Sequence, residues 1–323
     1  MTLTLDQLLG SPDHYLHSFD GADALFVPMD RAAYQRSIFL DRRISPAGTG
    51  MLRVPQSALT QAPAAQPTAW IFHVAHCGST LLARALDELS DDLVLREPLA
   101  LRQLALLPDP HDLLPPTLAL LARRYPGAGP TLIKANVPVN FLLDRIAEQQ
   151  ADAAAVFLHC TLPDYLAAIL RSENHRAWLR NVCELLAPHF GPTIPQSDAE
   201  LAAMLWLAQI TRFDAALAGM PNTRSLDAEV FFARPAQVLE AASVLLDTPC
   251  AAEQASRLVA GPLFNTYSKN PAHGFGNSER MARRAAILVE LGDEIAVAQR
   301  WVEDRAPDFP SMLQRLERAA LLS

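Results

Sequence analysis

The sequence predicts an α/β protein in which a parallel sheet lies between two layers of helices, followed by a large helical C-terminal portion. Three observations lead to this prediction. From residue 69 onward, short apolar runs alternate with helical patterns, which is typical of βαβ units. The first apolar run ends in a glycine turn followed by two hydroxyl residues, as in phosphate-binding loops. The 323-residue chain is 50% hydrophobic, which is ample for a large core.

The predicted elements follow an N-terminal extension, residues 1–68, with short helices at 4–9 and 31–41 and an irregular connection at 46–67. Strands are predicted over 69–74, 93–95, 131–134, 154–159 and 223–226. Helices are predicted over 79–89, 99–107, 118–125, 139–148, 165–171, 177–186, 198–217, 235–246, 279–291, 293–303 and 310–322. Residues 69–323 therefore read as one P-loop-type α/β domain with a helical insertion at about 174–260.

Charge and cysteine content exclude several classes of protein. The net charge of −8 does not favour a nucleic-acid backbone as partner. The cysteines at 77, 160, 183 and 250 form no CxxC pair and no metal-binding spacing, which favours a reduced cytoplasmic setting without a bound metal. The first residues lack an apolar signal core, and no window reaches the roughly 18 uninterrupted apolar residues of a membrane span. We therefore expect a cytoplasmic protein that binds neither nucleic acid nor membrane.

The segment from Trp70 to Pro98 is the chemical centre of the sequence. A buried strand is followed by a tight turn at Gly78, and Ser79 and Thr80 can begin a helix. Backbone N–H groups at such a helix start face an anion, and the helix dipole adds to their attraction. Because ligands of parallel sheets bind at the carboxyl ends of strands, the other candidates are the polar residues at those ends: His76, Cys77, Glu97, Lys134 and the turn at 159–161.

The nucleotide-hydrolysing P-loop, GxxxxGK[ST], fits this turn only in part. In that frame the motif runs from His73 to Thr80, with His73 in place of the first glycine and Ser79 in place of the lysine. NTP hydrolysis uses that lysine to bind the β- and γ-phosphates, so its loss disfavours an ordinary NTPase. The backbone N–H groups of the loop can still bind a phosphate without it.

Residues 76–82, HCGSTLL, resemble the 5′-phosphosulfate loop of sulfotransferases, most closely the tyrosylprotein sulfotransferase branch and its bacterial relatives. The resemblance implies a donor, 3′-phosphoadenosine 5′-phosphosulfate, a small-molecule or peptide acceptor with a hydroxyl or amine, and no metal. His76 stands where the family usually has Arg or Lys, so a fixed charge is replaced by a titratable one. The donor-binding residues implied by the loop are His76, Cys77, Gly78, Ser79, Thr80 and Leu81.

Further positions share the resemblance. Glu97 matches the residue that acts as general base for the acceptor hydroxyl, and Lys134 matches the lysine that stabilises the sulfuryl group in transit. Ser268 and Lys269 are similar to a late loop that closes over the nucleotide. More loosely, residues 224–227 are similar to a late family strand.

One family element is absent from the sequence. An Arg and a Ser that hold the 3′-phosphate are replaced by Thr161 and Ile169. Arg171 and Ser172, just beyond on the same predicted helix, are candidate substitutes. The loss leaves open a second hypothesis, a catalytically idle protein that keeps the phosphate loop.

The chemistry of sulfuryl transfer also fits these residue types without the resemblance. One carboxylate near the acceptor, one lysine near the bridging oxygen and a helix N-terminus suffice for it.

Simpler roles remain open: Glu97 as a helix-start carboxylate, Lys134 as a strand-end residue, His76 as an exposed turn residue, and residues 78–80 as a helix cap. His73 is expected in the core. The arginine pairs at 123–124 and 283–284 are typical of solvated helix faces. A phosphatase-like role for Cys77 is disfavoured, because Ala83 stands where that loop needs Arg. A small-molecule kinase is a third hypothesis, disfavoured by the missing lysine and by strands that end without a Walker B Asp.

Overall fold

The computed structural model describes residues 3–192, 194–267, 270–274 and 276–322, and it confirms the predicted α/β class. The strands are β1 His14–Asp20, β2 Asp23–Pro28, β3 Leu52–Pro55, β4 Thr68–His73, β5 Val94–Arg96, β6 Thr131–Lys134, β7 Ala154–His159, β8 Thr223–Asp227, β9 Thr266–Tyr267 and β10 Asn270–Gly274. The helices are α1 Leu5–Gly10, α2 Arg31–Arg36, α3 Ser79–Leu89, α4 Leu99–Leu104, α5 Leu114–Leu121, α6 Leu143–Gln149, α7 Leu162–Ile169, α8 Glu173–Leu185, α9 Asp198–Gly219, α10 Ala228–Ala233, α11 Pro235–Leu245, α12 Ala252–Ala260, α13 Pro262–Asn265, α14 Asn277–Glu290, α15 Gly292–Arg305 and α16 Phe309–Arg318. Short 3-10 helices lie at Gln56–Gln61, Val137–Leu142 and Ala187–His189.

The central sheet is parallel, with the strand order β5-β6-β4-β7-β8. Strand β4 lies in the middle, and Trp70, Ile71 and Phe72 are fully buried, which explains its continuous apolar run. Ile71 pairs with Lys134 on one side, and His73 pairs with Leu158 on the other. The carboxyl ends of the strands therefore meet at one edge, where β4 leads into the glycine turn.

Helices cover the sheet on both faces. Helix α3 packs with α11 and α12, whereas α9 packs with α6, α7, α8, α15 and α16. By length and composition alone, α9 is apolar enough to cross a membrane. However, ten of its residues, among them Trp206, Gln209 and Phe213, are buried against these neighbours, which makes it a core helix here.

The first 68 residues contain more structure than predicted. Strands β1, β2 and β3 form an antiparallel sheet that contacts α4 and α5. The first two strands join through a two-residue turn, in which Gly21 takes a left-handed conformation with φ +57°. Tyr15, Val27 and Tyr34 belong to the same buried cluster as the central sheet. The N-terminal segment is thus packed onto the α/β core, and its sheet was missed by the sequence analysis.

Arg123 fixes this segment in place. We expected an arginine on a solvated helix face, because Arg124 follows it. The structure shows instead a buried guanidinium that donates to the carbonyl oxygens of Leu8, Leu9 and Ser11, and to those of His14 and Leu120. Burial lowers the pKa of Arg123 to about 10, so the side chain is still charged at neutral pH.

Candidate active site

The turn after β4 forms a strained loop at the start of α3. Gly78 precedes the helix with φ +92°, and His76 has φ +62°, a conformation uncommon for residues other than glycine. No side chain caps the helix start among the described contacts, so its first N–H groups are available to an anion. The Thr80 hydroxyl is buried beside them and has no hydrogen-bond partner within the described residues. These features match those of a phosphate or sulfate site.

The turn needs glycine for a second reason. A Cβ atom at Gly78 would lie 2.9 Å from Cζ of Phe232 and 3.4 Å from Cδ1 of Phe231. The two phenylalanines belong to α10, the helix that follows β8, so the loop packs directly on this helix.

A cavity of about 1050 Å³ opens in front of this loop. The candidate residues His76, Cys77, Gly78, Ser79, Thr80, Leu81, Glu97, Lys134 and Arg171 line it. Ser172 is not among the described residues of its wall. Ser268 and Lys269 lie outside the described residues. The fold therefore places nine of the twelve predicted site residues around one cavity large enough for a nucleotide and a second molecule.

Glu97 and Lys134 form an ion pair in this cavity. Their side chains are 19% and 1% exposed, respectively. Lys134 ends β6 and Glu97 follows β5, its neighbour in the sheet, and the Glu97 backbone N–H donates to the Lys134 carbonyl at 2.8 Å. Glu97 has φ +59°, a conformation that costs about 1–3 kcal/mol for a residue other than glycine. Backbone strain of this kind concentrates at functional sites, where the surrounding structure maintains it.

Arg96 maintains the position of Glu97. Its guanidinium is 1% exposed, pairs with Asp87 of α3 at 2.6 Å, and donates to the carbonyl oxygens of Tyr34, Gln35 and Ser37. The residue before Glu97 is thus bonded both to the helix of the glycine loop and to the end of α2.

The histidines of the loop occupy different environments. His73 is 5% exposed, and its two ring nitrogens each lie 2.8 Å from a carbonyl oxygen, those of Val74 and Ala135. It therefore has the core environment expected from the sequence. The His76 ring is 5.0 Å from the His175 ring and 5.9 Å from the Trp178 ring, measured between centroids. His76 thus packs against two rings of α8, His175 and Trp178, and the three rings together form an aromatic wall.

Neither Thr161 nor Ile169 is among the described residues of the cavity wall, although Cys160, Asp164 and Ala168 next to them are. Ile169 is fully buried in the core, and the Thr161 hydroxyl donates to Asp164 at 2.8 Å. Arg284 of α14 is ion-paired to the same Asp164 carboxylate. Hydrogen bonding to Asp164 raises the pKa of Arg284. We expected Arg284 on a solvated helix face, and the structure instead places it on the cavity wall beside Thr161.

Arg171 and Ser172 both contact His175. The Nη2 atom of Arg171 lies 3.0 Å from one ring nitrogen, and Ser172 Oγ lies 2.6 Å from the other. Ser172 precedes α8 and supports His175, while Arg171 itself lines the cavity.

The cysteines of the cavity have environments unlike that of a reactive thiolate. Cys77 is buried, and its thiol lies 2.8 Å from the Val74 carbonyl oxygen. Burial, with the nearby Cys77 and Asp164, raises the pKa of the Cys160 thiol well above its usual value.

Sequence reasoning missed part of the wall. Phe39, Asp41 and Arg43 come from the N-terminal segment, and Arg102 comes from α4. Arg280 and Arg283 come from α14. The single local signal was the position of Arg102, one helical turn after Glu97 and Pro98; the others reach the cavity through tertiary packing alone.

Comparison with known proteins adds distant structural likenesses. No family model matches the sequence, and neither does any curated protein. The sulfotransferase from Alicyclobacillus acidocaldarius aligns with 73% of this chain and 96% of its own, at 17% identity and a TM-score of 0.37. The sulfotransferase domain from the curacin biosynthetic pathway aligns with 59% of this chain and 77% of its own, at 13% identity and a TM-score of 0.39. At this distance neither likeness assigns a function to this chain.

Proposed function

We propose that this protein transfers a sulfuryl group from 3′-phosphoadenosine 5′-phosphosulfate to the hydroxyl or amine of an acceptor. The observation that carries the proposal is the Glu97–Lys134 ion pair, which lines the same cavity as the glycine loop at the start of α3. Anion binding, a buried cation and a carboxylate are thereby combined in one place. The sulfotransferase resemblance of residues 76–82 agrees with this chemistry.

Each group has a definite task in the reaction. The acceptor oxygen attacks sulfur, the bond between sulfur and the bridging phosphate oxygen breaks, and the hydroxyl proton passes to the Glu97 carboxylate. Negative charge grows on the bridging oxygen, where the Lys134 ammonium and the N–H groups of α3 stabilise it. His76, when protonated, adds a further positive charge at the loop.

The described residues fit such a donor. The loop supplies uncapped N–H groups and the buried Thr80 hydroxyl, both suited to an oxyanion. The aromatic wall of His76, His175 and Trp178 is suited to a flat base. Arg171 offers a guanidinium for a second phosphate.

One observation favours a second candidate, an anion-binding protein without transferase activity. Thr161 and Ile169 replace the family residues for the 3′-phosphate, and Ile169 is fully buried in the core. A small-molecule kinase is less well supported, because Ser79 replaces the P-loop lysine. In addition, the Asp227 carboxylate at the end of β8 accepts the N–H groups of Glu229 and Val230 as a helix cap.

Calorimetric titration separates these candidates. We expect adenosine 3′,5′-bisphosphate to bind in the presence of EDTA, and ATP to gain no affinity from Mg²⁺. Binding of ATP only with Mg²⁺ would favour the kinase, and binding of neither nucleotide would favour the idle protein. Transfer of ³⁵S from labelled donor to a pool of hydroxyl and amine compounds then tests activity directly.

A further inference from the structure

The charged side chains of the cavity wall are paired unevenly. Each of its carboxylates has one cation: the pairs are Asp41–Arg43, Glu97–Lys134, Asp164–Arg284, Glu229–Arg280 and Glu279–Arg283. Among the described residues of the wall, Arg102 and Arg171 have no carboxylate partner. The wall as described therefore carries excess positive charge, in a chain whose net charge is −8.

The two arginines belong to different parts of the cavity. Arg171 contacts His175, whose ring packs on His76 of the glycine loop. Arg102 lies on α4, the helix that begins two residues after Glu97. Arg171 therefore lies near the glycine loop, whereas Arg102 lies on the helix that follows Glu97.

The start of α4, the helix of Arg102, lies beside the segment that carries the Asp41–Arg43 pair, because the backbone N–H of Leu99 donates to the carbonyl of Leu40. Burial would raise the pKa of the Asp41 carboxyl, but hydrogen bonds from Arg43 and the charges of Arg43 and Arg102 together lower it. Arg43 is already neutralised by Asp41, with contacts of 2.9 and 2.6 Å. The half-buried Arg102 has no such neutralising contact within the described part of the chain.

Two residues complete this corner, because α4 packs against the 3-10 helix that begins directly after Asn136, and the first residue of α4 is bonded to Leu40, which follows Phe39. The Asn136 side chain is 7% exposed and lines the cavity, and its Oδ1 atom has no hydrogen-bond partner among the described residues. The Phe39 ring lies under Arg43 at 3.9 Å and supplies an apolar floor. An amide oxygen can only accept a hydrogen bond, so the corner combines one acceptor, one cation and one aromatic surface.

We propose that this corner binds an acceptor that is itself anionic: a hydroxy acid whose carboxylate pairs with Arg102. A guanidinium binds a carboxylate through two parallel hydrogen bonds, which orients the ligand as well as holding it. The proton of the reacting hydroxyl passes to Glu97, and a second hydroxyl or amine hydrogen, where the molecule has one, donates to Asn136 Oδ1. The assignment of this ligand as acceptor rests on the proposed sulfuryl transfer; the anion subsite itself does not.

Matched pairs of ligands test the proposal by calorimetry, with adenosine 3′,5′-bisphosphate both present and absent. The pairs are 4-hydroxybenzoate and 4-hydroxybenzamide, 4-hydroxyphenylacetate and its amide, and glycolate and glycolamide. We expect a carboxylate to bind about tenfold more tightly than its amide. Arg102→Gln brings that ratio close to one, and Arg102→Lys retains part of it.

Arg300→Gln is the matched control, because Arg300 is exposed on α15 and is not among the described residues of the cavity wall. It leaves the ratio unchanged. An unchanged melting temperature of Arg102→Gln shows that the loss is local. The proposal is overturned if no pair shows a preference for the carboxylate, or if the preference persists in Arg102→Gln.

The same data distinguish this inference from the proposed function. An Arg102-dependent preference without nucleotide binding keeps the anion subsite and removes sulfuryl transfer. Nucleotide binding without any preference for carboxylates keeps sulfuryl transfer and removes the acidic acceptor.

Discussion

Glu97 and Lys134 are ion-paired across adjacent parallel strands, and the backbone N–H of Glu97 also donates to the Lys134 carbonyl. The backbone bond fixes the two residues in register, so the carboxylate meets the ammonium in the wall of the cavity. The left-handed conformation of Glu97 turns the chain out of the sheet at this point. Strand register and local strain together therefore create the candidate catalytic pair.

Replacing this carboxylate separates catalysis from binding. Glu97→Gln removes the proton acceptor but keeps the shape of the side chain, so turnover falls by about 10²- to 10⁴-fold. Adenosine 3′,5′-bisphosphate binds as before, because the glycine loop is intact. Radiolabelled sulfuryl transfer and calorimetry measure the two effects. Glu88→Gln, on the exposed end of α3, is the control, and retained turnover in Glu97→Gln would remove Glu97 as the base.

Gly127 is a matched control position for Gly78, the glycine of the loop. Gly78 and Gly127 both have positive φ, but an added Cβ at Gly127 meets nothing within 4 Å. Gly127→Ala therefore measures backbone strain alone, about 1 kcal/mol. Gly78→Ala adds the contact with Phe232 and costs about 2 kcal/mol, with weakened nucleotide binding. Urea denaturation and calorimetry test both variants, and equal behaviour of the two would contradict a steric requirement at Gly78.

Arg96 offers a test of how the N-terminal segment supports the site. Arg96→Met leaves the buried Asp87 with a weaker partner and three carbonyl oxygens without a donor, so we expect a loss of about 3 kcal/mol in the free energy of unfolding. Arg31, the other arginine on Asp87, is 24% exposed, and Arg31→Met should cost about 1 kcal/mol. Similar losses for the two variants, measured in urea, would argue against the buried guanidinium as the main link.

The central part of this site was predictable because it follows from local patterns. Apolar runs locate the strands, and the carboxyl ends of parallel strands must meet, so Glu97 and Lys134 were expected near the glycine loop. The boundaries of α3, β6 and β7 coincide with those predicted. Their signals lie within single elements and need no knowledge of the rest of the fold.

The remainder of the wall depends on contacts between distant segments. Arg284 bonds to Asp164, which is 120 residues away in the sequence, and Arg96 bonds to the carbonyl of Ser37, which is 59 residues away. Neighbouring charges, as in residues 123–124 and 283–284, suggested solvated faces, yet Arg123 is buried and Arg284 is paired in the cavity. A charge pattern describes a segment alone, and tertiary packing supplies the partner that makes burial favourable.

The ion-pair network around Asp198 makes stability depend on pH. Hydrogen bonds from Arg180 and Arg176 hold the pKa of Asp198 below its ordinary value of 3.8, despite the opposing effect of burial. A carboxyl with a lowered pKa stabilises the folded state above its unfolded pKa, and this contribution is lost as the pH falls through the folded pKa. Asp198→Asn should therefore cost up to about 1 kcal/mol at pH 6 and progressively less toward pH 3. Urea denaturation across this range tests it, and a difference that stays constant would contradict the linkage.

Arg171 and Arg284 are rival candidates for the second phosphate of the proposed nucleotide donor. Arg284 lies beside Thr161, where the sequence lacks the expected arginine, but Asp164 already neutralises it. Of these two arginines, Arg171 is the one without a carboxylate partner in the described wall, so its charge is available to a ligand. We therefore expect Arg171→Gln to reduce the preference for adenosine 3′,5′-bisphosphate over adenosine 5′-monophosphate by about tenfold, the size of one charge-assisted contact. Calorimetry with both nucleotides measures the ratio, and Arg300→Gln serves as control. Loss of the preference in Arg284→Gln, with Arg171→Gln unchanged, would instead assign the phosphate to the arginine beside Thr161.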